Sequence, residues 1–296
     1  MRLFGHFQAR HYDISTTIAM TGSPRSGTTW LAELLTAGTG FCPIMEPLHL
    51  TAVPEASRVG FTWRTLIAPG TRWPQAEAYL QDVFSGRVLT PFTTSGTRFW
   101  ELVRRTGWLV KFVRANRMLP WLVERFPLRG FILLVRHPFA VVASQLRDSR
   151  FVAPQDLSSP EHRHFLEAYP QFTATAEECR TPAECFALQW CMDQHVPIVS
   201  PYRDRWLTVR YEDLVRQGEQ ELARVFDFLH LSMTDQALKQ LRVASREAKS
   251  WSVIKTGADE VAALRSSLSD EQRGQIRAIV RSFGLQSPVG ALYEVD

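Results

Sequence analysis

The sequence predicts an α/β fold in three layers, with a central, mostly parallel sheet and helices on both faces. Three observations lead there. Short β-prone runs alternate with helical segments along the chain. Residues 131–135, Phe-Ile-Leu-Leu-Val, are apolar at every position, as in a strand covered on both faces. A glycine-bounded loop, Thr21-Gly-Ser-Pro-Arg-Ser-Gly-Thr-Thr-Trp30, stands between an expected strand and an expected helix.

Taken in order, residues 18–20 make the first strand, preceded by Thr16 and Thr17 and ended by Gly22 and Pro24. Residues 28–37 read as a helix with Leu31, Leu34 and Leu35 on one face and Gly38 as its stop. A stretch rich in proline and aromatic residues follows, at about 50 to 100. Residues 131–135 form the second strand, closed by Arg136-His137-Pro138. A helix over 139–148 comes next, with Pro138 suited to its first turn. A polar stretch, 148–182, precedes a helix over 183–195 and a third strand over 206–210. Tyr211-Glu-Asp-Leu214 leads to an amphipathic helix, 219–229, and a last helix spans 269–283 with Ile276, Ile279 and Val280 on one face. The loop, Arg136 and Tyr211 all fall at carboxyl ends of strands, where open α/β sheets bind ligands. The expected organisation is one domain over 1–296, with an aromatic-rich lid segment at about 50–108 and a polar insertion at about 148–182.

Composition narrows the classes. A hydrophobic fraction of 45% with 22% charged residues excludes a disordered or fibrous chain. No apolar run approaches the roughly 20 residues of a membrane span, and the N-terminus lacks the apolar centre of a signal peptide. The expectation is a soluble, cytoplasmic protein. The cysteines, Cys42, Cys179, Cys185 and Cys191, show no metal-ligand spacing; idle thiols in a reducing compartment are expected ahead of one disulfide. From Arg98 to Arg136, nine basic residues stand against Glu101 and Glu124, a greater excess than the whole-chain +4. Such a cluster is either a solvated face or the surround of an anion.

The loop meets the spacing G-x-x-x-x-G at Gly22 and Gly27, but Thr28 holds the place of the lysine in a nucleoside-triphosphate loop. The nearby cation is Arg25. Backbone N–H groups and the following helix N-terminus suit an anion, and Ser23, Ser26, Thr28 and Thr29 add hydroxyls. A triphosphate enzyme also needs a metal-holding aspartate, whereas the 131–135 strand ends in Arg136, which repels a metal and grips phosphate. Ser144 follows eight residues later; on its own it reads equally as a small packing residue. A lysine-free loop and an arginine-tipped strand argue for two anion sites and no metal.

Ser23-Pro-Arg-Ser-Gly-Thr-Thr-Trp30 and Leu133-Leu-Val-Arg-His-Pro-Phe-Ala-Val-Val-Ala-Ser-Gln-Leu146 resemble the two cofactor signatures of the sulfotransferases that use 3′-phosphoadenosine 5′-phosphosulfate (PAPS). The resemblance implies the P-loop NTPase-like sulfotransferase fold, PAPS as co-substrate, 3′-phosphoadenosine 5′-phosphate (PAP) as product, and direct transfer of a sulfuryl group to a hydroxyl. It assigns residues 23–30 (Ser23, Pro24, Arg25, Ser26, Gly27, Thr28, Thr29 and Trp30) to the 5′-phosphosulfate. Arg136 and Ser144 go to the 3′-phosphate. Tyr211, in Thr208-Val-Arg-Tyr-Glu-Asp-Leu214, goes beside the adenine. Trp30 is expected to pack the first helix onto the sheet. Arg25, where cytosolic members carry Lys, matches protein-tyrosine and bacterial members. The cytosolic catalytic His has no counterpart, since Val113 stands there. The resemblance to the protein-tyrosine enzymes places a Glu base 21 residues beyond the loop arginine, at Glu46, with His49 as base or a purely structural Glu46 carboxylate as the alternatives. Pro47 is expected to hold Glu46 extended. Lys111 reads as a contact to the sulfuryl group or as a surface lysine of the basic cluster. The C-terminal R-K-G motif of the cytosolic enzymes is absent, which leaves Arg246, Lys249 and Lys255 as candidates to complete the 3′-phosphate site.

The resemblance implies a hydroxyl-bearing acceptor, a carbohydrate or natural product foremost. Six of the nine tryptophans lie between 30 and 121 and suit either an acceptor wall or a core. Two rival readings are a kinase using ATP and magnesium and a non-catalytic binding module for nucleic acid. The oligomeric state is not legible.

Overall fold

The computed structural model describes residues 12–151, 159–248 and 267–285. Its elements run β1 (Ile18–Gly22), α1 (Thr28–Thr36), β2 (Phe41–Met45), α2 (Pro54–Val59), α3 (Pro74–Phe84), α4 (Phe99–Arg104), β3 (Gly107–Lys111), α5 (Leu119–Arg125), β4 (Gly130–Val135) and α6 (Pro138–Arg147). Then come α7 (Pro160–Ala168), α8 (Thr173–Glu178), α9 (Pro182–Val199), β5 (Leu207–Arg210), α10 (Tyr211–Arg216), α11 (Gly218–Phe228), α12 (Asp235–Gln240) and α13 (Asp270–Ser282). All five strands are parallel, in the order β2-β3-β1-β4-β5.

Alternation along each strand builds two cores from one sheet. Ala19, Ile44, Val110, Leu133 and Val135 face α3, α5, α6, α9 and α13. Ile18, Met20, Leu109, Ile132, Leu134 and Val209 face α1, α10, α11 and α12. Side chains of a strand point alternately to opposite faces, and helices on both faces explain why these strands are apolar at every position. This is the expected three-layer α/β architecture.

Two strands add to the three expected. In β2, Pro43 reads against a strand, yet β2 is an edge strand, where a missing N–H is tolerated. In β3, the short run Gly107-Trp-Leu-Val-Lys111 is embedded in the basic cluster and is buried throughout. That cluster divides: Arg98 and Arg104 are exposed, whereas Lys111 and Arg117 are 1% and 0% exposed. The 148–182 stretch contains α7 and α8. The four cysteines are free thiols. Among the described residues, no helix is long and apolar enough to cross a membrane.

Register places the chemistry. Met20 and Met45 both pair with Lys111, so the residue after β2, Glu46, emerges beside the end of β3, and its N–H donates to the Lys111 carbonyl at 2.8 Å. Gly22 pairs with Leu134 and Val135 with Arg210, so the loop, Arg136 and Tyr211 emerge side by side.

Candidate active site

The loop after β1 closes on itself: Ser26 donates through its N–H and its Oγ to the Ser23 carbonyl, at 3.1 and 2.6 Å. Arg25 has φ +72° and Gly27 φ +94°. At Gly27 the restriction is doubled, because a Cβ would lie 2.5 Å from the Tyr211 ring. Glycine therefore both turns the chain and lets that ring lie against it. The last loop residues enter α1, whose first-turn N–H groups have no carbonyl partner within the helix.

Arg25, Arg136, Ser144 and Tyr211, separated by up to 186 positions in the chain, form one cluster. Arg25 Nε donates to Ser144 Oγ at 2.9 Å, and Arg136 Nη1 donates to the Arg25 carbonyl at 3.1 Å. The Arg136 guanidinium lies 4.1 Å from the Tyr211 ring centroid, a cation–π contact. Burial draws the Arg25 pKa below its ordinary value; Asp148 opposes that, while Arg150 and Arg136 add to it. An anion would relieve such crowding. Trp30 packs edge-on to Tyr211 at 5.7 Å, and its Nε1 donates to the Val243 carbonyl. It sits in the core beneath α1.

A second cluster lies at the ends of β2 and β3. Lys111 Nζ, buried, donates to Thr29 Oγ1 at 2.8 Å and to Glu46 Oε1 at 3.2 Å. The surface reading of Lys111 is thereby overturned: β3 carries it inward, and a buried ammonium persists only when paired. Thr29 Oγ1 in turn donates to Glu247 Oε2 at 2.9 Å. Glu46 is not extended, as Pro47 led us to expect. Its φ is +43°, because its N–H is held by β3 while its carbonyl accepts from His49 in a turn. Among the described residues, two of the three non-glycine residues with positive φ are thus Arg25 and Glu46. Such strain costs about 1–3 kcal/mol and persists where the surroundings impose it, typically at functional sites.

His49 uses Nδ1 locally, near Thr51 and Ala52. Its ring packs edge-on to Trp63 and Phe92 at 5.0 and 4.9 Å. Burial lowers its pKa, which Glu46 opposes and Arg114 reinforces. Arg246 does not join the Arg136 cluster. It pairs with Glu33, and its Nη1 donates to the Ser95 carbonyl. Lys249 and Lys255 lie outside the described residues.

The sequence did not single out the supports. Helix α9 reaches both motifs: Gln194 Nε2 donates to Ser23 Oγ at 2.9 Å, and Trp190 Nε1 to the Arg136 carbonyl at 3.2 Å. Thr21 Oγ1 donates to Asn116 Oδ1 at 2.6 Å, anchoring the end of β1. The available signal was polar Gln189, Asp193 and Gln194 on a helix otherwise apolar enough to be buried all round. Among the described residues, no group of three or more His, Cys, Asp or Glu is placed to hold a metal.

A family model described as the sulfotransferase family matches residues 17–235. No curated protein matches. Among solved structures, the sulfotransferase domain from the curacin biosynthetic pathway is 19% identical with a TM-score of 0.46, covering 91% of this chain and 97% of that one. The sulfotransferase domain from the Synechococcus PCC 7002 olefin synthase is 18% identical at 0.46, covering 94% and 98%. Mouse sulfotransferase SULT7A1, solved with PAP, is 13% identical at 0.45, covering 97% and 90%.

Proposed function

The chain belongs to the sulfotransferase family, and on that premise we propose that it moves the sulfuryl group of PAPS directly to an acceptor hydroxyl, with Glu46 as base. The observation that carries this reading is the 2.9 Å bond from Arg25 to Ser144. It joins the loop to the second motif, so that one cationic wall runs from the strand-end arginine to the loop.

In this reading Arg136 and Ser144 hold the 3′-phosphate, Tyr211 flanks the adenine, and residues 23–29 cradle the 5′-phosphosulfate. Arg25 bridges the two anion subsites. The acceptor oxygen attacks sulfur, its proton passes to Glu46, and the bond from sulfur to the 5′-phosphate oxygen breaks. Charge grows on that departing oxygen, where prealigned donors contribute most. Lys111 supplies a fixed positive charge between Thr29 and Glu46 and orients the carboxylate. Arg25 contributes charge without giving up a proton. Glu46 stands ahead of His49 as base because its carboxylate meets Lys111, which also holds Thr29, whereas the His49 ring is turned into Trp63 and Phe92. The acceptor would be a carbohydrate or natural product.

Calorimetric titration with PAP, against ATP with magnesium, tests the donor. Micromolar binding of PAP with much weaker binding of ATP is expected. The reverse preference would remove the donor assignment and favour a kinase.

A further inference from the structure

Beside Glu46, and away from the loop, stands an arginine that the reaction as described does not use. Arg114 follows β3 by three residues. Its guanidinium lies 4.5 Å from the Trp63 ring centroid, and its side chain is 21% exposed. Its carboxylate neighbour is Glu46, with Nη1 3.7 Å from Oε2, too far for a hydrogen bond. Among the described residues, none accepts a hydrogen bond from Arg114, although a guanidinium carries five N–H donors.

The nearby carboxylates are already committed. Glu46 is claimed by Lys111 through its other oxygen. Asp193 is shared by Arg64 at 3.1 Å and by the fully covered Arg117 at 2.9 Å. Burial lowers the Arg114 pKa and the Arg64 charge adds to that, while Glu46 and Asp193 oppose it. Glu161 adds a negative charge at Arg117, to which it also offers its carbonyl at 2.9 Å. Of these four cations, Lys111, Arg64 and Arg117 each hydrogen-bond a carboxylate, and Arg114, beside the base, does not. A mostly covered cation is costly without a partner. A guanidinium stacked on a ring keeps its planar edge free, and that edge matches two oxygens of a carboxylate, sulfate or phosphate.

Resting on the sulfotransferase reading above, we propose that the acceptor is an acid. Its reactive hydroxyl lies close to an oxyanion group, gripped by Arg114, while its ring or apolar body packs against Trp63. The distance from Arg114 to Glu46 sets the spacing, because a group held on the guanidinium edge places an adjacent hydroxyl at Glu46. Proton transfer then leaves Glu46 neutral, and the acceptor's own anion balances Arg114 through the step. A neutral acceptor would leave Arg114 at that moment only the pull of Asp193, which Arg64 and Arg117 already share.

The test is calorimetry on the full chain saturated with PAP, using three matched probes: 4-nitrophenyl β-D-glucoside, its glucuronide, and its 6-O-sulfate. At least one anionic probe should bind about tenfold or more tighter than the neutral glucoside, as charged hydrogen bonds allow. The stronger of the two anionic probes tells carboxylate from sulfate recognition. Arg114→Gln should erase the preference while leaving PAP affinity within about twofold, and Arg114→Lys should retain part of it. The proposal is overturned if the glucoside binds as tightly as both anionic probes, or if neither anionic probe binds. It is also overturned if Arg114→Gln keeps the preference. Failure of the wild-type protein to bind PAP would instead sink the donor reading, so the two failures are distinguishable.

Discussion

Glu46 and Arg25 share a backbone feature that ordinary residues avoid, a positive φ. For Glu46 the sequence suggested the opposite, because a following proline favours extended backbone. The sheet overrules it: β3 captures the Glu46 N–H, and the chain must then turn into the segment carrying His49. Identity and spacing of the loop residues could be read in one dimension. The strain could not, because it arises from contacts 65 residues away. The same holds for Arg114, which looked like one more charge in a basic cluster until Trp63 was found beneath it. Glu46→Gln should lower turnover by about two to four orders of magnitude, the usual worth of a general base. PAP affinity should stay level or rise slightly, because Lys111 loses a competing carboxylate. Single-turnover sulfate transfer with parallel PAP calorimetry checks both; unchanged turnover would remove Glu46 from its role.

Helix α6 links the second motif to pH. His137 is its N-cap, and the imidazole Nδ1 accepts from the Phe139 N–H at 3.1 Å. Only an unprotonated Nδ1 can do this. Burial, with Arg136 and Arg210 nearby, lowers the His137 pKa to about 4. The unfolded chain takes up this proton near pH 6.5, so it binds more protons than the folded chain between about pH 6.5 and 4. The His137 contribution is thus complete above about pH 6.5 and is lost progressively as pH falls toward 4. Asparagine keeps a cap acceptor but cannot titrate. The Tm of His137→Asn should therefore fall less between pH 7.5 and 5 than that of the wild type; parallel melting curves would contradict the cap's neutrality. The helix itself was legible from Pro138 and the apolar run behind it. The role of α9 was not, because Gln194 and Trp190 find partners only once β1 and β4 are aligned.

At the scale of the whole molecule, the expected three-layer parallel sheet is present, and three of its five strands were legible from apolar runs. The other two, β2 and β3, carry Glu46 and Lys111 at their ends and were masked by a proline and by clustered charge. The sheet also brings Arg136 beside Tyr211, so Arg136→Ala should weaken PAP binding by about 2–5 kcal/mol, the cost of breaking a desolvated charge pair. Adenosine 5′-phosphosulfate, which lacks the 3′-phosphate, should lose clearly less. Equal losses in paired titrations would contradict the 3′-phosphate assignment. Parallel pairing has one more consequence. Each neighbouring strand needs a crossover, and the bonds that knit the site span 65 residues for Lys111 and Glu46 and 119 for Arg25 and Ser144. Closing such long loops costs entropy before any contact rewards it. The pocket is therefore complete only when every crossover is in place. A chain that collapses with one strand misplaced keeps its helices and much of its buried surface but has no pocket, which makes nucleotide affinity a gauge of correct topology.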